Sequence, residues 1–179
     1  MGIQSKVTGF TLIELLVTVA ILAITVTIAI PSFQNVIANN QLQEGRERLR
    51  TAVQFSKGEA VGRNQTVSLC PSADGSTCGD SNDWDENWLV VTDSNETGAV
   101  AIVNTLRVFE APDSSEVTVV HTGGFDWIRF ETDGISIGLN ATASFGFCDP
   151  DGEVDPNSLI LSPSTAAIRT GTVAEANCP

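Results

Sequence analysis

Glu14 is the one charged residue in the 21-residue run from Phe10 to Ile30, FTLIELLVTVAILAITVTIAI. A carboxylate at bilayer depth costs roughly 2.5–3.5 kcal/mol, so a chain that keeps one there has a use for it, and Glu14 needs a partner. Cys70, Cys78, Cys148 and Cys178 offer a second chemistry, an even set lying wholly downstream of the apolar run. That placement favours disulfides formed in an oxidising compartment, with three connectivities open. The favoured pairs are Cys70–Cys78, closing the short loop CPSADGSTC, and Cys148–Cys178, tying down a C-terminus that would otherwise fray. A zinc site built from all four is the rival, but the sequence has no C-x2-C pair to support it.

Two acidic stretches could hold a cation. Asp93, Asn95 and Thr97 ahead of Gly98 resemble the opening of a calcium loop, yet the twelfth position, where a bidentate acid belongs, is Asn104. Asp149, Asp151, Glu153 and Asp155 form the other, with DPDG turn chemistry. Both read as solvated turns, and no metal or other cofactor is expected. Catalysis has little to stand on: His121 is the only histidine, no G-x-S-x-G occurs, and the cysteines are committed. His121, between a strand and Gly123-Gly124, reads as structural, and Trp84, Trp88 and Trp127 beside strand residues read as core. The chain is not expected to be an enzyme.

Charge is unevenly placed. The chain carries a net −13 over 179 residues, but from Gln65 onward 18 acids face only Arg107, Arg129 and Arg169, a net −15. Between Ser32 and Asn64 the balance is +2. An acidic globular part repels polyanions unless basic side chains gather locally, so nucleic acid is a disfavoured partner.

The elements that would position these groups follow from periodicity. Phe10–Ile30 spans about 31 Å as a helix, enough to cross the hydrocarbon of a bilayer. The preceding residues 1–9, MGIQSKVTG, carry Lys6 and the amino terminus without an acid, which places them in the cytoplasm. PSFQN after Ile30 does not fit an ordinary signal-peptide cleavage site. Pro31 should kink or loosen the helix. An amphipathic half, residues 31–63, carries an apolar stripe of Phe33, Ile37, Leu42, Leu49, Val53 and Ala60. Residues 64–179 then read as an antiparallel β domain of short strands: TVSLC, WLVVTD, AVAIVNTLRVF, EVTVVH, WIRFET, ISIGL, ASFGFC, LILS and AAIRTG. The clearest hairpin is WIRFETDGISIGL, with Asp133-Gly134 suited to a two-residue turn of positive φ.

The N-terminus G-FTLIELLVTVAILAI…P resembles class III prepilins, the precursors of type IV pilins and type II secretion pseudopilins. The resemblance implies a prepilin peptidase cutting between Gly9 and Phe10 on the cytoplasmic side, with N-methylation of Phe10. It also implies that Glu14 neutralises the new Phe10 amine of an adjacent subunit during filament assembly. The physics agrees, because a carboxylate and an ammonium attract strongly at low dielectric and so reward correct axial register. The implied fold is α+β, the pilin fold, a long N-terminal transmembrane and amphipathic helix packed on an antiparallel sheet domain with two disulfides.

Beyond the helix, TVSLC, WDENWLVVTDSNETG, FGFC and NC occur in the order found in the GspH/FimT group of minor pilins (FimU/FimT-like) and H-type pseudopilins. Members proposed to bind DNA carry a basic GRxR-like stretch near the C-terminus. The matching place here reads TAAIRTG, leaving Arg169 alone as a DNA contact. The resemblance therefore implies a minor pilin of the tip or priming complex of a type IV pilus, serving pilus biogenesis and twitching motility. The alternatives are an H-type pseudopilin of type II secretion and a DNA-uptake pilin for transformation. Implied partners are prepilin peptidase, other minor pilins with the major pilin or pseudopilins, inner-membrane lipid and the inner-membrane assembly platform. The implied topology is single-pass in the inner membrane, N-terminus cytoplasmic and globular domain periplasmic, followed by entry into the filament.

Overall fold

In the computed structural model the described residues are 9–80, 83–95, 98–137, 142–163 and 165–178, without the side chains of 28–32. The leader residues 1–8, with Lys6, lie outside them. The chain divides into two compact units, Met1–Ile37 and Ala38–Pro179. Helix α1, Leu12–Arg63, contributes to both and is continuous through position 31. The side chain of Pro31, the residue expected to kink the helix, lies outside the described residues.

In the first unit every described large apolar side chain is exposed, from Phe10 at 84% down to Val17 and Val26 at 50%. A helix apolar all round needs a non-aqueous environment or neighbours to bury it. Among the described residues, whose side chains in this run reach only to Thr27, no helix is long and apolar enough to cross a membrane. Phe33 and Ile37, expected on the buried stripe, are exposed too. The stripe begins instead at Leu42.

The second unit is built on two antiparallel sheets. The first has strand order β3-β2-β1-β5-β6, from β1 (Val67–Ser72), β2 (Asn87–Asp93), β3 (Ile102–Phe109), β5 (Ile128–Phe130) and β6 (Ser136–Ile137). The second has order β4-β7-β8-β9, from β4 (Thr118–Thr122), β7 (Ala143–Cys148), β8 (Asn157–Leu161) and β9 (Ile168–Thr170). Each strand expected from the sequence has its counterpart here, although residues 138–141 at the end of ISIGL lie outside the described residues.

One core joins the helix to both sheets. Leu42, Leu49, Ala52, Val53 and Ala60 of α1 are buried with Val67, Leu69, Trp88, Val90 and Phe130 of the first sheet. Phe145, Phe147, Leu159 and Leu161 of the second sheet complete the same cluster. Each Leu or Phe buried in full contributes about 1.5–3 kcal/mol. On the opposite face of the first sheet, Cys70, Leu89 and Val91 are buried against Cys78, Val100 and Trp127. Burial on both faces explains why β1 is buried at every position.

The β5–β6 hairpin differs from its expected form. Glu131 N donates to Ile135 O at 2.9 Å and Gly134 N to Glu131 O at 2.8 Å, which makes Thr132–Gly134 a three-residue loop. Among its residues only Gly134 takes positive φ, at 78°, while the Asp133 carboxylate accepts from Ile135 N at 2.8 Å. Three-residue loops of this kind place glycine last, and the side-chain bond holds Asp133 out of the left-handed region that a two-residue turn demands. A short helix, α2 (Val173–Ala176), follows β9, and a Cβ at Gly146 of β7 would overlap the Ala176 carbonyl. Only glycine at that position lets α2 lie directly on the sheet.

Candidate functional site

In the first unit Thr11 starts α1: its Oγ1 accepts from Glu14 N at 3.3 Å and its carbonyl from Leu15 N at 3.2 Å. This satisfies orphan donors of the first turn. Thr18 Oγ1 donates to Leu15 O at 2.8 Å, Thr25 Oγ1 to Leu22 O at 2.9 Å and Thr27 Oγ1 to Ile24 O at 2.7 Å. The hydroxyls in the apolar run are thus bonded within the helix, as a helix surrounded by hydrocarbon requires. Glu14 is different. The ion pairs among the described residues lie between positions 44 and 175, and none involves Glu14. Its carboxylate, one turn from Phe10 and the one charge in the run, can bind a cation brought by another molecule. Gly9 and Phe10 are exposed ahead of the helix, and among the described residues Gly9 has no tertiary neighbour within 4 Å of where a Cβ would lie.

The cysteines pair as favoured. Cys70–Cys78 has Cα atoms 5.5 Å apart and Cys148–Cys178 5.7 Å apart. Inside the first loop Asp74 accepts from the backbone of Ser76 and Thr77, each at 2.8 Å, and from both hydroxyls. Those donors, the backbone of Ser76 foremost, hold its carboxyl well below the ordinary range.

Asp93, first position of the calcium-like loop, is committed elsewhere. Its Oδ2 accepts from Arg129 Nη2 at 2.6 Å, Arg129 Nε at 2.9 Å and Ser68 Oγ at 2.7 Å. Its Oδ1 accepts from Asn95 N and Ala101 N, both at 2.9 Å. The pair is buried, with Arg129 at 3% and Asp93 at 0% side-chain exposure. Burial pushes the Asp93 carboxyl up, but the donors from Asn95, Ser68, Ala101 and Arg129 outweigh it and hold it below its ordinary value. With both oxygens filled by protein donors, Asp93 ties the 93–101 loop to β5. Glu96 and Thr97 lie outside the described residues, and Asn104 belongs to β3.

The second acidic loop forms a turn closed by Asp149, whose Oδ2 accepts from Glu153 N at 2.9 Å and Val154 N at 3.2 Å. It lines an open cleft of about 490 Å³ with Asp151, Asp155 and the Cys148–Cys178 bridge. Among the described residues no group of three or more His, Cys, Asp or Glu is placed to hold a metal ion.

Arg169 on β9 is engaged by Glu175 of α2, Nη2 to Oε1 at 2.5 Å and Nη1 to Oε2 at 3.2 Å. Glu175 also accepts from Thr172 N at 2.7 Å, the reciprocal half of a capping box. Arg169, followed by Thr172, draws the Glu175 carboxyl down to about 2. The lone DNA-contact candidate is therefore an intramolecular ion-pair partner. Sequence reading missed both pairs. Arg129, a charge within the apolar strand WIRF, was the signal for the first, and the T-x-x-E spacing of Thr172 and Glu175 for the second.

Residues 46–165 match the family described as type II transport protein GspH, and residues 4–30 the prokaryotic N-terminal methylation motif. Among solved structures, the type IV minor pilin FimU of Pseudomonas aeruginosa superposes with a TM-score of 0.57 at 17% identity, over 76% of this chain and 92% of that one. A second crystal form of FimU gives 0.54 at 17%, over 74% and 94%. The minor pseudopilin EpsH of the type 2 secretion system of Vibrio cholerae gives 0.44 at 8%, over 76% and 94%. At such identities the FimU likeness establishes the α+β fold alone.

Proposed function

The chain belongs to the family of type II transport protein GspH and carries the prokaryotic N-terminal methylation motif, and from that premise we propose that it is a minor pilin of the tip or priming complex of a type IV pilus. A prepilin peptidase cuts between Gly9 and Phe10, and Phe10 is N-methylated. The helix from Phe10 to Ile30 anchors the subunit in the inner membrane with the globular domain on the periplasmic side. During assembly Glu14 pairs with the Phe10 amine of a neighbouring subunit while the apolar helix surfaces bundle.

One observation carries this reading. Over residues 12–27 a helix whose large apolar side chains are exposed on every side, its hydroxyls bonded internally, bears a single carboxylate, Glu14, which takes part in none of the ion pairs among the described residues. In hydrocarbon such a carboxylate is stabilised by a partner ammonium, which makes register between subunits the selected variable. The sheet domain then presents its surface to other minor pilins and to the major pilin.

The family description itself favours a second reading, an H-type pseudopilin of a type II secretion system. Deleting the gene in the native bacterium separates the two. Loss of surface pili and twitching with normal exoprotein secretion supports the pilus. Blocked secretion with normal pili overturns it for the pseudopilin.

A further inference from the structure

His121, on β4, is held among three aromatic rings. Its centroid lies 5.3 Å from Phe125, 6.2 Å from Trp84 and 6.3 Å from Phe145. Those rings also pack on one another, Trp84 and Phe145 at 5.0 Å, Trp84 and Phe125 at 5.6 Å and Phe125 and Phe145 at 5.7 Å. The imidazole Nε2 is buried and has no hydrogen-bond partner among the described residues. A neutral ring tolerates that position, but an imidazolium there would bury a charged N–H without an acceptor.

The segment that closes this box is a tight reversal. Gly123 and Gly124 take φ of 120° and 58°, and a Cβ at Gly123 would stand 2.7 Å from Phe125 Cε1. Phe125 therefore folds back directly over the turn. It is fastened at its backbone, where its carbonyl accepts from Trp84 Nε1 at 3.0 Å.

The charges around the ring are few. Asp126, beside Phe125, favours the protonated form, whereas burial disfavours it more strongly and holds His121 below its ordinary value. On the Trp84 segment Asp83 is occupied by Asp80 N at 3.0 Å. From β7 the facing group is Phe145, while Ser144, next to it along the strand, points to the other face of the sheet, where its hydroxyl donates to the Glu175 carbonyl.

We propose that the His121–Phe125 corner is a pH-sensitive latch on the globular domain. The neutral imidazole seats Phe125 in the box. A second proton on the ring drives it out toward Asp126 and water, and this frees Phe125, breaks the Trp84–Phe125 bond and opens the two-glycine turn. The latch reshapes that surface when the surrounding medium turns acid, and it does not depend on whether the subunit serves a pilus or a secretion system.

The test uses the full-length chain in detergent micelles. NMR follows the His121 ring protons through a pH titration and, in parallel, hydrogen exchange of the Trp84 indole N–H, corrected for the intrinsic rate of free indole. The expected results are a His121 midpoint below the ordinary value of about 6.5 and exchange at Trp84 accelerating about tenfold across that midpoint. The pH effect on Trp84 should vanish in His121→Phe. Asp126→Asn, an alteration outside the aromatic box, should move the midpoint lower still, and it serves if His121→Phe does not fold. A midpoint at or above about 6.5, the result if the rings stabilise the cation by their faces, overturns the latch. So does the same acceleration in His121→Phe, or a midpoint that Asp126→Asn leaves unmoved or raises.

Discussion

Replacing Arg129 by methionine isolates the buried ion pair, because methionine keeps most of the apolar stem that packs between strands and removes only the charge and its donors. The Asp93 carboxylate would then remain in a site with no side-chain exposure, having lost two donors at 2.6 and 2.9 Å. Breaking one side of a buried pair costs about 3–5 kcal/mol, against 0–1 for an exposed one. For a chain of this size that corresponds to a loss of roughly 6–20 °C in Tm. The assay is thermal unfolding of the full-length protein followed by near-ultraviolet circular dichroism. Adding Asp93→Asn removes the stranded charge while leaving an oxygen for the amides of Asn95 and Ala101, so the double variant should recover part of the loss. The pH dependence has a definite sign. Wild-type Asp93 is depressed, so its contribution is present above the ordinary carboxylate value of 3.8 and is lost as pH falls through its folded value. In Arg129→Met burial acts without the guanidinium, the carboxyl rises, and the deficit against wild type narrows in acid. A cost for Arg129→Met below about 1 kcal/mol, the level of an exposed pair, or a double variant as unstable as the sum of the singles, would refute the reasoning.

The two bridges should differ in worth by their loop lengths. With separations of 30 and 8 residues, loop-closure entropy assigns about 3.6 kcal/mol to Cys148–Cys178 and about 2.5 kcal/mol to Cys70–Cys78. Urea midpoints of the paired Cys→Ser variants should follow that order. Glu175, drawn down to about 2 by Arg169, stabilises the α2 cap above its ordinary value of 4.5, an effect lost as pH falls toward 2. Glu175→Gln should remove that acid step, and a carboxyl carbon NMR titration of wild type should place its midpoint well under 4.5. Gly146→Ala must push the Ala176 carbonyl off β7, destabilising by about 1–3 kcal/mol, with faster amide exchange in residues 173–178 as the local readout.

The helix, the strand succession and the Cys70–Cys78 loop were legible because each rests on local pattern. An apolar run in WLVVTD, alternation in ASFGFC, a stripe at Leu42, Leu49, Val53 and Ala60, and a nine-residue cysteine loop are properties of short stretches. What sequence hid depends on contacts remote along the chain. Arg129 meets Asp93 across 36 residues, so a carboxylate that looked like a metal ligand is filled by a partner no local rule names. Phe33 and Ile37 carry the right period yet are exposed, since periodicity marks an apolar face without telling whether anything in the same chain covers it. The β5–β6 loop shows the opposite limit. Asp-Gly identified a turn, but the Asp133 bond to Ile135 N selected its length.

Glu14→Ala tests the central claim most directly. In cells carrying the variant, intact mass should show a protein trimmed after Gly9 and methylated on Phe10, while sheared filaments should contain far less of it than of wild type. Wild-type amounts of the variant in sheared filaments would contradict pairing of Glu14 with the Phe10 amine as the force that sets register between subunits.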